Sequence, residues 1–76
     1  MQNFKSDFDS AIKANNFANI SIRKEGKEVK RYTFVTDYGK EDSFNVQYSA
    51  GASMSFQKIE SIFSAQAEKG FEIAVV

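Results

Sequence analysis

The chain contains no cysteine, histidine, proline or tryptophan. Without cysteine no disulfide can constrain the fold, and without cysteine or histidine the usual ligands of a structural zinc site are missing. The same two absences remove the common nucleophile and base pairs of covalent catalysis. Stability must therefore come from a hydrophobic core alone, which is demanding for 76 residues. We predict no metal site, no cofactor, no catalytic residues and no enzymatic activity.

Net charge is also absent, because ten basic side chains balance ten acidic ones. This balance argues against a uniformly basic nucleic-acid-binding protein and against an acidic mimic of DNA. No apolar run approaches the roughly 18 residues that a membrane helix needs. The opening segment MQNFKSDFDS lacks the apolar stretch of a signal peptide. We therefore expect no membrane partner and a cytoplasmic location.

Aromatic residues are abundant, with eight Phe and three Tyr, and each can bury a large area. Hydrophobic periodicity predicts one compact α+β domain over 1–76 with the element order α-β-β-β-α-β. Asn3 is a fitting N-cap for the first helix, and Ser53 or Ser55 for the second. The predicted helices cover 3–15 and 54–69, and the predicted strands cover 18–24, 28–36, 43–48 and 71–76.

These elements predict a two-layer sandwich with both helices on one face of a four-stranded, mostly antiparallel sheet. We favour the strand order 4-1-2-3, with the last strand parallel to the first. The apolar run FEIAVV suggests that this last strand lies in the interior of the sheet. Its placement beside the third strand is the alternative.

The alternation along the strands predicts which face is buried. Ile20 and Ile22 share a face with Tyr32 and Phe34 if the first two strands pair in the simple register, and the helices then cover all of them. In that register every Phe has a place in the core. The open face carries no aromatic residue on which a base could stack, whereas a register slip of one residue would reverse the two faces.

The segment IRKEGKEVKRYTFV is the only strongly basic part of the chain. It is predicted to form the hairpin of the first two strands, with Gly26 in the turn. Its excess of cations could bind phosphates, which makes nucleic-acid binding the alternative function. The residues concerned are Arg23, Lys24, Lys27, Lys30 and Arg31.

The next turn, DYGKED, is acidic and contains a tyrosine with no evident place in the core. Its carboxylates lack the spacing of a calcium loop, and no cleft is predicted around them. An exposed tyrosine is a common anchor in protein interfaces. The predicted partner-binding residues are Asp37, Tyr38, Glu41 and Asp42. The third strand, 43–48, carries no Pro or Lys to block edge pairing, so it is the predicted edge of a homodimer.

Two resemblances extend this interpretation. The order α-β-β-β-α over 3–69 is similar to that of the double-stranded RNA-binding domain. That family has a lysine cluster at the start of its second helix, whereas SMSFQKIE contains only Lys58. In size, lack of cysteine and number of short elements, the chain also resembles small inhibitors encoded by phages and mobile elements, anti-CRISPR proteins among them. That resemblance implies a domain that sterically blocks a nucleoprotein complex in the cytoplasm of a bacterial host.

Overall fold

The computed structural model describes all residues, 1–76, and confirms the α+β sandwich. Four strands form one sheet in the order β3-β2-β1-β4, and the predicted strand order is therefore correct. The elements are α1 (Phe4–Asn15), β1 (Phe17–Lys24), β2 (Lys27–Thr36), β3 (Phe44–Val46), α2 (Phe56–Glu68) and β4 (Glu72–Val75).

The helix ends follow from local sequence signals. Asn16 adopts a left-handed conformation with φ 65°, and its N–H donates to the Ile12 carbonyl at 2.8 Å, which ends α1. The Ser55 hydroxyl accepts from the Lys58 N–H at 3.2 Å and caps α2 as expected. Asn3 occupies the predicted N-cap position of α1, but it is left-handed and its side chain makes no capping hydrogen bond.

The pairing of β1 with β2 has the predicted register from Phe17 to Ile22. Ala18 lies opposite Phe34 and Ile20 lies opposite Tyr32, so both strands turn their apolar side chains to the helices. The turn between them places Glu25 and Gly26 at φ 53° and 79°, the two positive values of the hairpin turn that matches strand twist.

β4 lies beside β1 as predicted, but its direction and its place at an edge correct the sequence-based prediction. β4 pairs antiparallel with β1, not parallel, and it is an edge strand rather than an interior one. The cause lies after β3, where the chain turns back and Met54 forms an isolated antiparallel bridge with Phe44. Because of this reversal, α2 starts at the end of the sheet where β1 begins. It therefore finishes at the end where β1 finishes, and β4 runs back antiparallel to β1.

The third strand is also shorter than predicted. Pairing with β2 covers only Phe44–Val46, not 43–48. Tyr48 has φ 63°, a conformation that a strand does not allow, and the Ser49 N–H donates to the Val46 carbonyl at 3.2 Å. A tight turn therefore ends the strand, and much of β2 has no neighbour on that side.

A continuous aromatic cluster forms the core. Phe8 is fully buried, and its ring centroid lies 5.1 Å from those of Phe44 and Phe56. Phe63 of α2 packs edge-on against Phe34 at 5.9 Å. Not every Phe is in the core, however: Phe17 is 40% exposed and faces the open side, so the prediction that this face carries no aromatic residue is also wrong. The buried hydrophobic residues are Phe4, Phe8, Ala18, Ile20, Ile22, Phe34, Phe44, Phe56, Ile59 and Phe63.

Candidate interaction surfaces

The acidic loop, residues 37–42, is held in place by its own carboxylates. The Ser53 hydroxyl donates to Asp37 at 2.6 Å, and the Lys40 ammonium lies 3.4 Å from the same carboxylate. Asp42 accepts from the Phe56 N–H at 2.9 Å, so it satisfies one of the free amides at the start of α2. Its negative charge also suits the positive end of the helix dipole. Asp37 and Asp42 therefore brace the loop.

The other two predicted partner-binding residues face solvent. Tyr38 is 99% exposed, and Glu41 is exposed and forms no ion pair. Two backbone hydrogen bonds fix the loop that carries them. The Asp37 N–H donates to the Ser43 carbonyl at 2.8 Å, and the Lys40 N–H donates to the Asp37 carbonyl at 3.0 Å. The loop thus presents a tyrosine and a carboxylate from a braced backbone.

The five cations of the basic hairpin do not form one patch. Lys24 lies over the Phe71 ring, with its ammonium 4.9 Å from the centroid, and Lys30 lies over Tyr32 at 5.5 Å, both on the helix side of the sheet. Arg31 is on the open side, where its Nε donates to Glu28 at 2.9 Å. Arg23 donates to the Gly26 carbonyl at 2.7 Å, and Lys27 is exposed. The hairpin therefore divides its positive charge between two faces.

A β-bulge determines which side chains meet on the open face of the hairpin. The register of β1 and β2 shifts between Ile22 and Arg23, and Glu28 consequently lies beside Ser21 and Arg31. Ser21 is completely buried, and its hydroxyl donates to Glu28 at 2.6 Å. The sequence-based prediction missed this triad, because the bulge is invisible in the alternation of apolar residues.

Two carboxyl groups have lowered pKa values. The hydrogen bond from Ser21, and then that from Arg31, lowers the pKa of Glu28, while the hydrogen bond from Ser53 and the charge of Lys40 lower the pKa of Asp37. Both groups therefore favour the folded state once they are ionised. This stabilisation is complete above the unfolded-state pKa of about 4 and is lost as the pH falls through the lower folded-state values.

We predict that the double variant Asp37→Asn/Glu28→Gln loses less stability on acidification than the wild type does. Urea unfolding at neutral pH and at successively lower pH checks this. Glu68→Gln removes an exposed carboxylate that makes no ion pair, and it serves as the control. Parallel pH profiles for the wild type and the double variant would contradict the assigned role of these two groups.

The predicted homodimer edge is largely occupied. Phe44 uses its outward N–H and C=O on Met54, at 2.9 and 2.8 Å, and the Val46 carbonyl accepts from Ser49. Strand addition at β3 would have to displace these bonds. The free edges of the sheet are instead β4 and the part of β2 that lies beyond β3.

No protein-family model, curated protein or solved structure matches this chain. Neither helix combines the length and the apolar character that crossing a membrane requires. No group of three or more acidic side chains is arranged to hold a metal ion. The features that distinguish the surface are thus the braced acidic loop, the divided basic hairpin and the uncovered edge of β2.

Proposed function

We propose that this protein is a non-enzymatic protein-binding domain that engages its partner through Tyr38 and Glu41 of the acidic loop. The observation that carries the proposal is that a loop braced at both ends leaves its tyrosine 99% exposed. A side chain presented from a fixed backbone loses less entropy on binding than one on a mobile loop. Tyrosine is also among the residues that most often dominate interface energetics.

The charge of the loop suggests the surface that it meets. Three carboxylates and one lysine leave the segment 37–42 negative, which complements a basic protein surface that otherwise contacts phosphates. The resemblance to small phage-encoded inhibitors supports the same interpretation. The proposed mechanism is steric inhibition of a bacterial nucleoprotein complex, a defence complex of the CRISPR kind among the candidates, in the cytoplasm of the host.

Nucleic-acid binding through the basic hairpin is the alternative function. A nucleic acid would require the cations to lie on one face of the protein, where they could contact its phosphate backbone together. Lys24 and Lys30 instead lie on one side of the sheet and Arg31 lies on the other. Arg31 is also paired with Glu28 at 2.9 Å. The split arrangement favours the protein-binding function over a phosphate-binding groove.

A tagged capture from bacterial lysate, divided into nuclease-treated and untreated halves, tests the proposed function. We expect a defined protein to remain bound after nuclease treatment, and Glu41→Lys to reduce its recovery. Glu25→Lys reverses an exposed charge on the other hairpin turn and is the matched control. Material that disappears with nuclease and depends on low salt would contradict the proposal and support the basic hairpin instead.

A further inference from the structure

The shortness of β3 leaves part of β2 unpaired. β2 extends over Lys27–Thr36, but β3 pairs only with Phe34–Thr36. The Gln47 N–H donates to the Thr33 carbonyl at 2.8 Å, so the odd-numbered residues here direct their backbone groups towards this edge. The Thr33 N–H and both backbone groups of Arg31 then face outward without a backbone partner. We call this uncovered edge, together with the clefts beside it, the β2 notch.

Two clefts flank the β2 notch. One, of about 370 Å³, extends along the edge itself, between Lys30–Thr33 and the segment 46–49. The other, of about 180 Å³, opens on the helix side between α2 and the sheet, and seven of its eight lining residues are hydrophobic. Tyr32 and Val46 line both clefts, so the two clefts are neighbours. The apolar cleft is lined mainly by Ile22, Tyr32, Val46, Met54, Ile62 and Phe63.

The charged side chains that line the clefts of the β2 notch are both basic. Lys30 and Arg31 line it, and no Asp or Glu lines either cleft. Lys30 lies on the helix side, above the Tyr32 ring, and Arg31 lies on the open side, 50% exposed. A strand placed here would turn alternate side chains into the apolar cleft and towards Arg31. The Arg31 Nε is already bonded to Glu28 at 2.9 Å, but the two terminal amino groups of the guanidinium have no hydrogen-bond partner. Those groups favour carboxylates at the positions of the bound strand that face Arg31.

We propose that the β2 notch binds an extended segment of a partner protein, in which apolar and acidic residues alternate, by adding it to the sheet as a strand. Backbone hydrogen bonds with Arg31 and Thr33 supply the general affinity in this mode, and the apolar cleft and the cations supply the selectivity. This surface does not include the acidic loop, so the proposal does not depend on the function assigned to Tyr38.

A short synthetic peptide that alternates valine with glutamate is the probe. We expect it to displace the NMR amide resonances of Arg31 and Thr33 in a saturable manner and to slow hydrogen exchange at the Arg31 N–H. Arg31→Glu should weaken the affinity about tenfold, the effect of losing roughly 1.4 kcal/mol. Lys30→Glu is a second variant that leaves the Arg31–Glu28 pair intact, and it should weaken binding in the same direction.

Three controls keep the outcomes distinct. Lys58→Glu reverses an exposed charge outside both clefts and should leave the affinity unchanged. A peptide with lysine in place of glutamate, and one N-methylated on alternate amides, should both bind more weakly. The proposal is overturned if millimolar peptide leaves the Arg31 and Thr33 resonances in place. It is equally overturned if the same resonances respond instead to single-stranded DNA or to rising concentration of the protein alone.

Discussion

Phe8→Ala should remove a large share of the free energy of unfolding. Phe8 is completely buried, and its ring contacts aromatic residues of both helices and of the sheet, including Phe4, Phe34 and Phe44. Removing such a side chain costs about 3–5 kcal/mol, because the cavity that it leaves cannot close completely. A chain of 76 residues has a total stability of only about 4–11 kcal/mol.

Urea and thermal unfolding followed by circular dichroism measure this loss. We expect the midpoint temperature of Phe8→Ala to fall by at least about 15 °C. Phe17→Ala is the matched control, because it removes the same ring from a site that is 40% exposed, and it should cost no more than about 1 kcal/mol. Equal losses in the two variants would contradict the assignment of the core to the helix side of the sheet.

Tyr38→Ala should produce the largest loss of partner binding among the exposed positions. If Tyr38 is the anchor, its truncation costs about 2 kcal/mol or more, which corresponds to a decrease in affinity of roughly thirtyfold or greater. Stability should hardly change, because the side chain is 99% exposed. Titration of the captured partner against the wild type and the variant gives the affinity ratio, and urea unfolding verifies that the fold is intact.

Tyr48→Ala is the chemically matched control for this prediction. Tyr48 is 98% exposed but follows the opposite end of β3, beside the β2 notch. We expect this variant to bind the partner of the acidic loop as tightly as the wild type does. A loss confined to Tyr48→Ala would place the binding site at the notch and contradict the role given to Tyr38.

Much of the fold could be predicted because its signals are local. The alternation of Ala18, Ile20 and Ile22 predicted both a strand and its buried face, and Gly26 and Ser55 marked a turn and a helix start. The direction of β4 could not be predicted, because it depends on the reversal after β3. That reversal is stabilised by two hydrogen bonds between Phe44 and Met54, ten positions apart. The spacing of apolar residues does not predict such a pair.

The features of the candidate surfaces also differ in whether local sequence could predict them. The exposure of Tyr38 was predictable, since it sits in a turn with no apolar neighbour in the pattern. The bracing roles of Asp37 and Asp42 were not, because their partners Ser53 and Phe56 follow 16 and 14 positions later in the chain. The β2 notch escaped prediction for a related reason: it exists only because β3 ends before β2 does.

Photo-crosslinking from position 38 tests the central claim most directly. Replacing Tyr38 by benzoyl-phenylalanine puts a reactive group on the braced loop, and the same replacement of Lys13 on α1 gives an exposed control position. We expect irradiation in nuclease-treated bacterial lysate to join one defined protein to position 38 and not to position 13. Crosslinking that is equal at the two positions, or that yields only nucleic acid when the nuclease is omitted, would contradict it.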